Sequence, residues 1–197
     1  MKNFLKISLI IAVFFTAFVA NASEEDFSLK VKSEKGKTVS FSINDAKNVN
    51  LSIYSLENET LFGEKINSKG IVNRTYDLKA FPEGNYILEV ETSSKLAQYA
   101  IKVVGNTASI SEVAISETFK PVFKNENGMV YVDIANADKS DVEISLVDEF
   151  NTQLYTETFN GKATISKKFD INQALSDKLT FVVKYKNQIF AETIATR

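Results

Sequence analysis

Val49-Asn50-Leu51-Ser52-Ile53-Tyr54-Ser55 alternates apolar and polar residues, and Val142-Glu143-Ile144-Ser145-Leu146-Val147-Asp148 takes up the same pattern 93 residues later. A period of two places Val49, Leu51 and Ile53 on one face of a strand and Asn50, Ser52 and Tyr54 on the other, so one face is buried and one is wet. The match extends without a gap from Val49–Leu78 to Val142–Ile171. Eight of those thirty pairs are identical, among them Asn58/Asn151, Asn67/Asn160 and Asp77/Asp170. Alternation alone would not preserve turn residues, so the stretch reads as a duplication. Upstream, Phe27 to Gly36 matches Phe119 to Gly128 on a skeleton of Phe, an apolar residue, Lys, Glu and Gly.

Working outward, each copy yields seven short strands. In the first they fall near 27–32, 38–43, 49–55, 60–66, 71–77, 85–91 and 98–103. In the second they fall near 119–124, 129–134, 142–148, 153–159, 163–169, 179–185 and 188–194. Turn residues punctuate them at Lys35-Gly36, Glu57-Asn58, Pro82-Glu83-Gly84-Asn85 and Asn160-Gly161. Seven strands with such spacing predict an all-β chain of tandem immunoglobulin-like seven-stranded β-sandwiches. The first sandwich is expected over 23–104, a linker over 105–114 and the second sandwich over 115–197. Ile110, Val113 and Ile115 are expected to pack at the junction or to start the second sandwich. Helix signals reduce to short turns at Leu78–Phe81 and Ile171–Leu175.

The first 22 residues read as an export signal. Lys2 and Lys6 give a basic start, Ile7 to Val19 a mostly apolar run, and Ala20-Asn21-Ala22 a small-residue site with Ser23 next. The apolar run is shorter than the roughly 20 residues a membrane span needs. Cleavage after Ala22 would leave no stable membrane span, and 21 basic residues against 25 acidic ones.

The composition removes many chemistries. The chain has no Cys, His or Trp. That excludes Ser-His-Asp and Cys-His catalysis, disulfides and His- or Cys-based metal sites. The net charge of −2 gives no electrostatic claim on nucleic acid. Paired carboxylates remain as a catalytic route, but Asp77 and Asp170 occupy matching positions, where each is expected to close a strand and accept backbone N–H groups in the following turn. Asn136-Ala137-Asp138-Lys139-Ser140-Asp141 has oxygen ligands for calcium, yet lacks the glycine and distal Glu of an EF-hand loop, so a polar turn is expected. Tyr54, Tyr99 and Tyr155 are candidates for exposed aromatics. No cofactor or metal is expected.

One stretch is more specific. Val49 to Ser55, Glu64-Lys65-Ile66-Asn67, and Tyr76-Asp77-Leu78-Lys79-Ala80-Phe81-Pro82-Glu83-Gly84-Asn85-Tyr86-Ile87-Leu88-Glu89-Val90 together resemble the C-terminal sorting domain of type IX (Por) secretion cargo in Bacteroidetes. Pro82, Gly84 and Tyr86 match the P-x-G-x-Y core of that family, and Ile101-Lys102-Val103 its closing strand. The resemblance implies a seven-stranded immunoglobulin-like sandwich read by an outer-membrane secretion machine. The second copy reads Asp170-Ile171-Asn172-Gln173-Ala174-Leu175 at the same place, without the proline, glycine and tyrosine. From the residues themselves, Gly84 is expected at positive φ in a tight turn, with Tyr86 opening the next strand and its hydroxyl reaching solvent or backbone.

Three functional expectations follow. The first is an exported, non-enzymatic interaction or cell-surface module, with a protein or cell-surface component as partner. The second is cargo sorting by the secretion machinery. The third is a carboxylate-based hydrolase.

Overall fold

The computed structural model describes residues 27–196. The expected cleavage site at Ala20, Ala22 and Ser23 lies outside them. The described chain is all-β, and its pairing pattern occurs twice. In the first repeat β1 (Ser28–Lys35) pairs with the first half of β2 (Thr38–Ser55), which pairs with the second half of β3 (Thr60–Asp77). The second half of β2 pairs with the first half of β3 and with β4 (Gly84–Glu91), which pairs with β5 (Lys95–Val104). The sheet thus folds over on itself. Val39, Phe41 and Ile43 from one arm share a single buried core with Leu51, Ile53, Leu88 and Val90 from the other.

The second repeat makes the same sandwich from two separate sheets. One holds β12 (Thr164–Asp170), β9 (Met129–Ala135) and β8 (Val122–Glu126). The other holds β11 (Gln153–Phe159), β10 (Val142–Asp148), β13 (Lys178–Tyr185) and β14 (Gln188–Ala195). Three strands against four is an immunoglobulin-like arrangement. The registers superimpose: Ile43↔Val72 answers Ile134↔Ile165, and Ile53↔Leu88 answers Leu146↔Phe181.

Three expectations are corrected. The runs 38–43 and 49–55 form one continuous strand, as do 60–66 and 71–77. Five residues separate Ile43 from Val49, and Ala46↔Gly70 keeps the ribbon paired through the bend. In the second repeat seven residues separate Ile134 from Val142, and an Asn136-centred turn breaks the ribbon. The segment 105–114 is no free linker either. Its residues 107–110 form β6 (Thr107–Ile110), which pairs with β5, as does β7 (Ser116–Phe119). Ala108 and Ile110 are buried beneath that edge, and Glu34 accepts the Ile110 N–H at 2.8 Å. Val113 and Ile115, expected at a packed junction, are exposed. The first sandwich therefore runs to Phe119, not 104. Phe119 keeps the place before a strand that Phe27 holds, but its ring belongs to the first sandwich. The Lys95 ammonium lies 4.5 Å from the Phe27 ring centre and 5.6 Å from that of Phe119, and it pairs with Glu117 at 3.0 Å.

The duplication reaches individual hydrogen bonds. Ser55 Oγ accepts from the N–H groups of Glu57 and Glu59, and Asp148 Oδ1 accepts from those of Phe150 and Thr152. Asn58 and Asn151 supply the left-handed residue of each turn, at φ 64° and 59°. Asp77 and Asp170 take the roles expected of them. Each accepts the N–H two residues on at 3.0 Å, and those bonds hold both carboxyls below the usual range. The turns at Leu78–Phe81 and Ile171–Ala174 follow, closed by bonds of 2.9 and 3.1 Å.

A charged cluster closes the side of each sandwich where the chain crosses between layers. In the first, Glu64 accepts from Arg74 at 2.9 Å and from the Tyr76 hydroxyl at 2.7 Å, with Phe62 edge-on to Tyr76. In the second, Glu157 accepts from Lys167 at 2.6 Å and from the Tyr155 hydroxyl, with Tyr155 edge-on to Phe169. The hydroxyl has moved to the other ring of the pair while the acid and the base stay in place. Burial opposes the charge on both Glu157 and Lys167. Their mutual hydrogen bond nevertheless lowers the Glu157 pKa below 4.5 and raises that of Lys167 above 10.5. A depressed acid contributes stability above its ordinary value and loses it as pH falls through its folded value. A raised base contributes below its ordinary value and loses it as pH rises through its folded value. The second sandwich should therefore be less stable both in acid below pH 4.5 and in alkali above pH 10.5. Lys167→Met should flatten the alkaline limb and weaken the acid one in urea titrations run across pH.

The Tyr185 hydroxyl is buried and has no hydrogen-bond partner among the described residues. Burial holds its proton on well above the ordinary value. An unsatisfied buried donor costs about 1–3 kcal/mol. Tyr185→Phe should thus leave the second sandwich as stable or more so, measured by its urea midpoint.

Candidate functional site

Pro82, Gly84 and Tyr86 build a corner of the first sandwich. The Tyr86 ring is buried, edge-on to Phe81 at 5.1 Å, and its hydroxyl donates to the Pro82 carbonyl at 2.8 Å. A tyrosine that opens a strand and bonds back to the chain just upstream is a tyrosine corner. Only Pro82 is exposed; Gly84 is partly covered. Gly84 does not have the expected positive φ, unlike Gly36, Gly70, Gly105, Gly128 and Gly161. It is already the first residue of β4, paired with Val103, and the tight bend lies upstream at Leu78–Phe81. Leu179 stands where Tyr86 does, since it opposes Asp148 as Tyr86 opposes Ser55.

The other sequence candidates resolve in the same way. Tyr99 is buried, while Tyr54 and Tyr155 are half-covered. Asn136 is fully buried and donates to the carbonyls of Ser140 and Lys162, at 2.7 and 2.8 Å. The Ser140 hydroxyl donates to Asn136 Oδ1, and Asp138 pairs with Lys186 at 3.1 Å. The side-chain oxygens of Asn136, Asp138 and Ser140 are thus engaged within a polar turn. No group of three potential metal ligands occurs among the described residues.

Sequence reasoning missed a groove on the outer face of the first sandwich. It is lined by Asn50, Ser52, Gly63, Glu64, Lys65 and Glu91 and has a volume of about 400 Å³. Its origin is local. Ser52 lies opposite Gly63, so two small residues leave a hollow between larger neighbours. Strand alternation then does the rest. Tyr86, Leu88 and Val90 of β4 point into the core, which turns Glu89 and Glu91 outward. Glu91 accepts from Asn50 at 3.1 Å and from Lys120 at 2.7 Å. Glu89 accepts from Gln98 at 2.9 Å and from the Tyr54 hydroxyl at 3.4 Å. Burial works against ionising Glu91, yet the bonds from Lys120 and Asn50 hold its carboxyl below the usual range. A general acid needs the opposite shift, so Glu91 is fitted to accept hydrogen bonds rather than to donate a proton.

The second repeat carries other residues in the place of the groove. Thr156 stands in the place of Gly63, opposite Ser145, and the pair Asn50–Glu91 becomes the ion pair Glu143–Lys184 at 2.9 Å. Glu89 and Gln98 are answered by Val182 and Ala191. Two faces that began as copies have separated in chemistry while their cores kept the same register.

No family model and no curated protein matches the chain. Among solved structures it is similar to a biofilm-associated protein BSP domain, at 14% identity and a TM-score of 0.27 over 85% of this chain. The chain spans 29% of that structure. It is also similar to the NIE-MG1 domains of native alpha-2-macroglobulin from Escherichia coli, at 11% identity and a TM-score of 0.28 over 87% of this chain and 98% of that one. A third is bovine butyrophilin, at 8% identity and a TM-score of 0.26 over 86% of this chain and 98% of that one. Scores this low describe no common arrangement, and the immunoglobulin-like assignment stands on the strand pairing itself.

Proposed function

We propose that the protein is an exported, non-enzymatic recognition module that engages its partner through the outer face of the first sandwich. The observation that carries this is the groove over Ser52 and Gly63, beside which Asn50 and Lys120 are both bonded to Glu91. Export rests on the leader read in residues 1–22, and among the described residues no helix is long and apolar enough to cross a membrane. The absence of Cys and His, with Glu91 held ionised, supports a binding role over hydrolysis.

The test uses the chain from Ser23 onward, titrated with cell-envelope extract and followed by amide NMR. Shifts are expected around Asn50, Gly63 and Glu91. They should vanish in Gly63→Thr, which gives the first repeat the residue the second already carries. Shifts confined to the second sandwich would sink the reading. Sorting by a type IX machine is a separate proposal, favoured by the way the matched segment builds a sandwich corner. A reporter fused to residues 23–104, extended to Phe119 to complete the sandwich, should then leave the periplasm; retention there would count against it.

A further inference from the structure

We propose that the outer edge of β14 accepts an added strand, and that this strand is the β14 of a second copy of the chain, paired antiparallel across a two-fold axis. The pairing uses no residue of the groove and does not depend on the recognition reading above.

The internal repeat supplies the comparison. Tyr86↔Ile101 and Glu91↔Leu96 in the first sandwich answer Leu179↔Ile194 and Lys184↔Ile189 in the second, so β14 holds the place of β5. The outer edge of β5 is covered twice, by β7 along Lys95–Gln98 and by β6 along Ile101–Val104. Among the described residues no strand pairs with the outer edge of β14. Its side chains show the difference. Leu96, opposite Thr118 of β7, is 8% exposed, whereas Ile189 in the same place is 68% exposed. Ile101, opposite Ile110 of β6, is buried, whereas Ile194 is half-buried. An open edge presents a row of backbone N–H and C=O groups, and such a row selects an extended backbone.

The other open edges of the second sandwich carry devices that discourage pairing. β8 bears Lys124 and Glu126, β12 bears Lys167 and Lys168, and β11 runs past a register shift beside Leu146 and Val147. β14 has eight residues in unbroken register with β13, no lysine, no proline and one charge, Glu192.

The occupant is named by the sequence of β14 itself. The strand that covers β5 is Ser116-Glu117-Thr118-Phe119, and β14 contains Ala191-Glu192-Thr193-Ile194. On β5 the pairs are Leu96↔Thr118, Ala97↔Glu117 and Gln98↔Ser116. Setting two copies of β14 antiparallel with Ala191 on the two-fold axis gives the same pairs. Ile189 then meets Thr193 of the second copy, Phe190 meets Glu192 of the second copy, and Ala191 meets itself. Each strand is thus both the acceptor and the donor, as an isologous interface requires. Glu192 also fixes the register, because centring the pair on that residue would set two carboxylates directly opposite.

The experiment is sedimentation equilibrium of the chain from Ser23 onward, from micromolar to millimolar concentration, with amide hydrogen exchange read in parallel. A reversible monomer–dimer equilibrium is expected, with exchange slowed within 189–193 as concentration rises. Ile189→Lys should weaken the dimer by about tenfold or more. Leu154→Lys, also at an exposed position but on β11, should leave it unchanged. Both variants should keep the wild-type urea midpoint. The chain has no other cysteine, so Ala191→Cys should oxidise to a covalent dimer and Ala195→Cys should not. A monomer at every concentration would overturn the proposal, as would a dimer lost in Leu154→Lys and kept in Ile189→Lys. A chain that stays monomeric yet binds a synthetic Ile115–Lys120 peptide along β14 would overturn the second copy as occupant and leave the edge as an acceptor for a foreign strand.

Discussion

Phe181→Ala is expected to cost the second sandwich about 3–5 kcal/mol, and to leave the melting of the first unchanged. Phe181 is fully buried and sits edge-on to Phe169 at 5.2 Å, so truncation removes both apolar burial and an aromatic contact. A domain of this size holds on the order of 5–10 kcal/mol in all, so the loss is a large share of its stability. The two hydrophobic cores share no residue. Calorimetry on the variant should therefore show one transition shifted down strongly and one at its original temperature. A single transition moving as a whole would mean that the sandwiches melt as one unit. Residues 27–119 expressed alone should likewise unfold cooperatively in urea.

Tyr86→Ala should be nearly as costly for the first sandwich, about 3–5 kcal/mol for the loss of a buried aromatic ring. Tyr86→Phe isolates the corner bond. It keeps the ring against Phe81 and removes only the donation to the Pro82 carbonyl, for a loss of about 1 kcal/mol. Gly84→Ala should be mild, because φ there is not positive and an added β-carbon would meet the Tyr86 hydroxyl at an ordinary 3.7 Å. Urea midpoints of the three variants should rank in that order. If Tyr86→Ala left the midpoint untouched while abolishing export, Tyr86 would be a signal rather than a structural part.

The strands were legible because alternation is local. Val49, Leu51 and Ile53 declare a buried face with no knowledge of their neighbours, and the repeat doubles that information. Asp77 and Asp170 were legible for the same reason, since each bonds to the backbone two residues away. The ends of the sandwiches were not. Nothing in Thr107-Ala108-Ser109-Ile110 says that it pairs with β5, because strand addition depends on an edge set by distant residues. Gly84 was misjudged because the bend it was expected to make had already been made at Leu78–Phe81. The groove was half-legible. Alternation turns Glu89 and Glu91 outward, but only the register of β2 against β3 and β4 brings Asn50, Gly63 and Glu91 together.

The unbroken ribbon of β2 and β3 has a mechanical consequence. In the first sandwich two strands of 18 residues run through both layers, so one layer cannot slide over the other without tearing a backbone ladder. In the second, turns at 136–141 and 160–163 take the place of that stitching. Under a pulling force along the chain, the second sandwich should yield first and lengthen, sparing the first. The pair would then work as a stiff head on an extensible tether, with the groove carried on the stiff part.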